Sequence, residues 1–381
     1  MARIVQKDGI YTRRGDGLDV LQAPNLNMYK HIIEYARNPQ NGLDIQFRGG
    51  YINIYYRGGN LLRLYFDDNE PLRPESFDKW YFYQPTKESV LTKSDIVRLC
   101  KNESESWYKQ TSEKPGNRYN RYRHIYSDYE KYRREAVEIE STLQNRWSEL
   151  LSRLQNCTEY NEIASIMEEI KTTMDGWKKS LKEVGRRETE SGERVVQHYI
   201  SLFNKEYDEG TDYLVLDLEY AISAHALYRD DRTPDRQQPR IDIVAIEKRT
   251  GQLYVMELKY GMGAVDGNAG VDVHYNDYLN TVGDDEKWIY FWDDINVLLT
   301  AKKNLGFFLE KNEFVLKKEK PKFAFIMKEQ NNTDKREFVN AIKTSVSIPD
   351  NVPVLFLPKD QDETFFNPIP DGLKLSKKYL L

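Results

Sequence analysis

Cysteine is nearly missing from this chain: 381 residues hold only Cys100 and Cys157. Two thiols so far apart give no disulfide framework and no zinc-ligand spacing, a usage that fits a reducing cytoplasm. Long apolar runs are missing too. No window approaches the roughly 20 residues of a membrane-crossing helix, and the start, Met1-Ala-Arg-Ile-Val-Gln-Lys-Asp8, carries no apolar signal core. Charge of one sign is scarce: 56 Lys and Arg against 61 Asp and Glu leave a formal −5, which argues against a protein that coats nucleic acid by bulk charge but allows local basic patches. Gly-x-Ser-x-Gly and His-Glu-x-x-His do not occur. The glycine-rich stretch 261–270 carries Asp266 where a phosphate-binding loop would need Gly-Lys-Ser/Thr, so it reads as a flexible connection.

What is present suffices for two or three domains with real cores. The 27 tyrosines are apolar rings with polar tips, suited equally to cores, interfaces and base stacking. Residues 43–66 contain three short alternating runs separated by Gly49-Gly50 and Gly58-Gly59. Paired glycines between alternating runs mark tight hairpins, because primed turns need positive φ. The prediction is a three-stranded meander, with a helix over 25–37 before it and a short helix near Ser94–Lys101 after it. Arg-Gly-Gly occurs twice here, but between strands, unlike the long disordered tracts that bind RNA.

From about 118 to 186 the pattern turns helical and highly charged. Tyr119, Tyr122, Tyr126 and Tyr129 recur at helical steps, and Trp147, Leu150, Leu151 and Leu154 continue such a stripe. A second helix is expected from Glu159 to about Val184, with Thr158 as its N-cap, making a helical hairpin. Arg118, Arg121, Arg123, Lys131, Arg133 and Arg134 interleave with the tyrosines. Such a face suits a phosphate backbone with bases stacking on rings; the plainer reading is an amphipathic helix with tyrosines packed inward.

From Glu188 the pattern is α/β. A helix starts near Ser191–Glu193, a strand spans Tyr213 to Ile222, and helices are expected around His274 and Tyr278, over 285–304 and from Thr333, its N-cap, to Thr344. Strands are expected at 322–327 and 352–357, and the C-terminal stretch should drape over the surface. The most informative segment is Arg240-Ile-Asp-Ile-Val-Ala-Ile-Glu followed by Leu253-Tyr-Val-Met-Glu-Leu-Lys-Tyr260. It puts Asp242 near the start of one apolar strand, and Glu257 and Lys259 on one face of the next, since side chains two apart in a strand point the same way. Two carboxylates and a lysine on adjacent strands suit a site that holds Mg²⁺ or Mn²⁺ through oxygen and orients a water. Asp217 and Glu219 share a face of the preceding strand; they could add to the acidic site, and the plainer reading is a solvated face.

The order helix, three strands, helix, strand, with Asp-x14-Glu-x-Lys across the second and third strands, resembles the PD-(D/E)xK nuclease superfamily, the fold of restriction endonucleases and RecB-type nuclease domains. The resemblance spans about 188–360. It implies an α+β or α/β class with a central mixed sheet flanked by helices in a restriction-endonuclease-like domain, preceded by the meander and the hairpin. The regions are then 1–115, 116–187 and 188–381. The resemblance also implies that Asp242 and Glu257 bind the metal, that the backbone carbonyl of Leu258 faces it, that Glu193 supports it, and that Lys259 orients water. His274 and Tyr278 resemble the Gln-h-x-x-Tyr motif of the RecB-like branch, with His for Gln. Ile241, not proline, precedes Asp242; the one literal Pro-Asp, Pro234-Asp235, lies in a polar loop.

Plainer alternatives stand beside each residue. Glu257 and Lys259 could form a surface ion pair, Glu193 a first-turn carboxylate on a helix dipole, and His274 an ordinary polar helix residue. The expectation is a cytoplasmic, Mg²⁺- or Mn²⁺-dependent nuclease, DNA favoured over RNA, in a setting such as restriction, anti-phage defence or repair. The first half would recognise substrate, hold a partner subunit or form a homo-oligomer. The alternatives are a catalytically silent scaffold of the same fold and an interaction protein built on the hairpin.

Overall fold

The computed structural model describes residues 5–7, 10–12, 26–48, 51–56, 59–65, 145–183, 193–204, 210–221, 240–261, 265, 270–304, 315–329, 334–357, 375–377 and 380. Arg118, Arg121, Arg123, Lys131, Arg133 and Arg134, the helix expected near 94–101, Thr333 and the Pro234-Asp235 loop lie outside the described residues. The chain is mixed α+β and divides into two compact units, one formed by Met1–Ser76 with Glu190–Leu381, the other by Phe77–Thr189. Among the described residues no helix is long and apolar enough to cross a membrane.

The first unit opens with a two-stranded ribbon, β1 (Val5–Lys7) and β2 (Ile10–Thr12). Helix α1 (Leu26–Arg37) precedes the meander, which is an antiparallel sheet of β3 (Leu43–Arg48), β4 (Tyr51–Tyr56) and β5 (Gly59–Tyr65). Alternation gives this sheet two different faces. Leu43, Ile45, Phe47, Ile52, Ile54, Leu62 and Leu64 make the apolar one, all buried. The other carries Asp44, Gln46 and Arg48 opposite Tyr55, Asn53 and Tyr51, and much of it is buried as well: Asp44, Gln46, Asn53 and Asn60 are each 5% exposed or less.

The second unit, taken by itself, contains α2 (described over 145–155) and α3 (Tyr160–Glu183). Trp147, Leu150, Leu151 and Leu154 on the first, and Ile163, Ile166, Met167, Ile170 and Met174 on the second, are buried. Glu169 joins the helices by accepting from Arg146 and Arg153, both at 2.8 Å. Over the described residues 145–183 two helices meet at a tight turn as expected, with one change there. The first α3 hydrogen bond runs from Ile163 N–H to Glu159 O, so Glu159, not Thr158, occupies the capping position.

The first unit then resumes with α4 (Glu193–Phe203) and a five-stranded mixed sheet ordered β10-β9-β8-β7-β6. Strands β6 (Tyr213–Ala221), β7 (Arg240–Glu247) and β8 (Leu253–Tyr260) run antiparallel; β9 (Lys322–Lys328) and β10 (Val354–Leu357) add in parallel beyond β8. The parallel additions require crossovers, supplied by α5 (Val271–Leu279) and α6 (Trp288–Asn304) between β8 and β9, and by α7 (Asp334–Thr344) between β9 and β10. Strands covered on both faces read as near-continuous apolar runs. On one face Val196, Ile200 and Phe203 of α4 cluster with Leu218, Ile243, Met256, Leu258 and Ile326. On the other, Phe325 meets Phe338 of α7, and Phe323 meets Tyr275 and Tyr278 of α5.

The β7–β8 hairpin is set by Gly251, whose φ of +73 needs glycine and whose absent Cβ leaves room for the Val315 carbonyl; a Cβ there would meet that oxygen at 2.1 Å. The C-terminal end does not simply drape. Leu375 is fully buried in the α4 core; its carbonyl accepts from the Asp212 N–H and its own N–H donates to Asn204 Oδ1, while Ser376 and Lys377 bond to Asp212. This short apolar residue among lysines gave no periodic signal of burial.

Candidate metal centre

The site forms where α4, β6, β7 and β8 meet. The pair Ile243↔Met256 sets the β7–β8 register, and one further step brings Asp242 level with Glu257. Glu257 and Lys259 are 4% and 1% exposed, which excludes a surface ion pair. They share a face as expected, with Lys259 Nζ donating to Glu257 Oε1 at 2.8 Å. Leu258, between them, points the opposite way into the α4 core. Its backbone N–H donates to Asp242 Oδ2 at 2.9 Å, so it is the amide of Leu258 that holds the aspartate in place.

Glu193 opens α4 and is partly buried. Burial raises its carboxyl above the usual range, opposed by the Lys259 charge and by a hydrogen bond from the Tyr260 amide. It thus reaches past its own helix dipole to the end of β8. One turn on, Gln197 Nε2 donates to the Asp242 carbonyl at 2.5 Å. Sequence reading missed Gln197, although its four-residue step from Glu193 puts both on one helix face.

The electrostatics are lopsided. Burial drives the Asp242 carboxyl well above its ordinary range, reinforced by the charges of Glu257, Glu193 and Glu219 and only partly offset by the Leu258 amide. Burial likewise pushes Glu257 up to about 7 despite the Lys259 ammonium. Burial and the neighbouring acids thus act together against ionising these carboxyls. Such perturbed groups concentrate at functional sites.

His274 joins the site: its Nδ1 lies 3.1 Å from Glu257 Oε1. Tyr278 does not. Its hydroxyl donates to the Pro321 carbonyl at 2.9 Å and its ring packs on Phe323, so it anchors α5 to the start of β9. Asp217, read with Glu219 as a solvated face, proves otherwise, while Glu219 stays partly exposed beside Arg240. Asp217 is fully buried against Arg48 of β3 at 2.9 Å, and the charge of Glu219 acts on Asp242 and Glu193. Neither partner was legible locally, since Arg48 lies 169 residues upstream.

The donor set of carboxylate oxygens with a surplus of negative charge fits a hard divalent cation such as Mg²⁺ or Mn²⁺. The acids are gathered but not closed: among the described residues no three His, Cys, Asp or Glu side chains converge as a ready-made cage. Comparison with protein-family models, curated proteins and solved structures gives no match.

Proposed function

We propose that the chain is a divalent-metal-dependent nuclease of the PD-(D/E)xK type that hydrolyses phosphodiester bonds, with DNA favoured over RNA. One observation carries this reading: Asp242 and Glu257 sit level on adjacent strands beside the buried Lys259, with more carboxylate than cation to neutralise it. Asp242, Glu257 and Glu193 would hold Mg²⁺ or Mn²⁺, which when bound supplies Lewis-acid stabilisation of charge on the phosphate. Lys259 orients the attacking water. As the new P–O bond forms, the bond to the leaving oxygen breaks and that oxygen takes up a proton. His274 steadies Glu257 from the α5 side, Gln197 and the Leu258 amide fix Asp242 at backbone and side chain, and the core behind Leu258 excludes water from that face. Restriction, anti-phage defence and repair are the settings this chemistry suits.

A second reading, a silent scaffold of the same fold, draws on one observation: Glu257 Oε1 is already occupied by Lys259 and His274. The experiment that separates the two is cleavage of plasmid, linear and single-stranded DNA and of RNA with Mg²⁺ or Mn²⁺, wild type against Lys259→Ala. Loss of metal-dependent cutting by at least a hundredfold in the variant is expected, in line with removal of a positioned catalytic group. Equal behaviour of the two proteins on every substrate removes this site from the chemistry.

A further inference from the structure

The large sheet forks at the candidate centre. Its β7–β8 ladder ends at Ile243↔Met256, although both strands run on. Beyond that pair β7 stays with β6 as far as Ala221↔Arg240, and β8 stays with β9 as far as Tyr260↔Lys328. Side chains seal the base of the fork. The Leu258 N–H donates to Asp242 Oδ2 at 2.9 Å, and Gln197 Nε2 donates to the Asp242 carbonyl at 2.5 Å. Glu257 and Lys259 stand on the β8 prong, and the β7 prong begins at Arg240.

Arg240 shares a strand face with Asp242, two residues on, but it stands in solvent. Its side chain is 53% exposed, whereas Glu257 and Lys259 are buried. The fork therefore runs from buried acids at its base to an exposed cation at its tip. Arg240 Nη1 donates to Glu219 Oε2 at 3.1 Å, and Glu219 is itself 25% exposed. A solvent-facing pair of this kind is weak and exchanges partners at little cost. Glu257, Glu193 and Glu219 all press on Asp242 with like charge, a field that repels a phosphodiester as it arrives. A guanidinium at the tip offsets that field where the substrate enters, and its planar set of donors matches the oxygens of a phosphate.

We propose that Arg240 binds the nucleic-acid backbone: its guanidinium exchanges Glu219 for a phosphate flanking the one that lies at Asp242 and Glu257. The inference rests on the nuclease reading of the site. It makes Glu219 a holder, which keeps the guanidinium at the mouth of the fork until a phosphate takes it.

The test is equilibrium binding rather than turnover. Fluorescence anisotropy of labelled single-stranded DNA and of its duplex is measured over a KCl series, in EDTA and again with Ca²⁺, alongside the melting temperature of each protein. The proteins are the full chain as wild type, Arg240→Gln, Arg240→Lys and Glu219→Gln. Arg240→Gln should weaken binding roughly tenfold at low salt and lower the slope of log affinity against log salt by about 0.7 on the single strand or about 0.9 on the duplex, as the loss of one phosphate contact does. Arg240→Lys should keep the slope, since the charge remains, and lose part of the affinity. Glu219→Gln should bind more tightly than wild type. A pair that serves structure alone would instead lower the melting temperature in both Gln variants and leave affinity and slope as in wild type. Wild-type affinity and slope in Arg240→Gln, or weaker binding in Glu219→Gln, overturns the role of Arg240 and leaves the nuclease reading standing. No binding of either nucleic acid by the wild type at any salt, with or without Ca²⁺, overturns that reading, and this inference with it.

Discussion

The two sheets of the first unit both bury carboxylates, and they treat them in opposite ways. On the polar face of the meander, Asp44 is 3% exposed and fully answered: Ser201 Oγ donates at 2.8 Å, Gln46 Nε2 at 2.9 Å, and His198 Nδ1 lies at 3.0 Å, with Tyr55 stacked on the imidazole at 4.1 Å. His198 and Ser201 come from α4, so the network is a joint between the meander and the helix that carries Glu193. On the large sheet, Asp242, Glu257 and Glu193 outnumber the cations beside them, and their carboxyls are driven upward. Buried charge that is satisfied serves structure; buried charge held in surplus is the pattern found more often at functional sites.

That contrast makes its sharpest prediction when one acid is removed from each sheet. Asp44→Ala leaves His198, Ser201 and Gln46 facing an empty position and should cost about 3–5 kcal/mol in denaturant unfolding. Asp242→Asn should do the reverse in metal-free protein, stabilising by roughly 0.5–2 kcal/mol as repulsion falls, with function lost. Destabilisation by both substitutions would erase the distinction.

A smaller effect follows from pH. Glu257 rises from the ordinary 4.5 to about 7, so folding favours its neutral form. The stability this contributes is complete below about 4.5 and is lost as pH climbs through about 7. The melting temperature of metal-free protein should therefore fall across that window, and Glu257→Gln should flatten the fall. Mn²⁺ affinity should climb over the same window, because the cation takes the deprotonated form. A wild-type melting curve flat from pH 5 to 8 would remove the basis for treating Glu257 as strained.

The smallest effect is expected on the helical hairpin. Arg153 and Glu169 pair at 2.8 Å in full view of solvent, so Arg153→Ala should leave the melting temperature unchanged within error and insensitive to salt.

Much of this architecture was legible because local patterns were strong. Gly-Gly spacing announced the meander, and the alternation in 240–247 and 253–260 placed Asp242, Glu257 and Lys259 on their strands. The four-residue step from His274 to Tyr278 ran along a real helix, though only His274 turns to the site. What stayed hidden depends on contacts across long stretches of chain. Asp217 looks like any strand acid until Arg48 is seen against it. Glu219 follows simple alternation on paper, but the register shift between Val215 and Asp217 and its own left-handed φ break that alternation. His198 and Ser201 read as helix filler, because Asp44, their partner, lies more than 150 residues away.

Leu375 carries a last consequence, one of timing. Synthesis delivers the chain from its first residue onward, whereas the core around α4 is sealed by a residue that emerges after β10 and ties down Asp212 and Asn204. Chains that stop short of it leave the ribosome with that core open. A molecule made through Leu375 is the one that closes this core, in which Leu258 also lies.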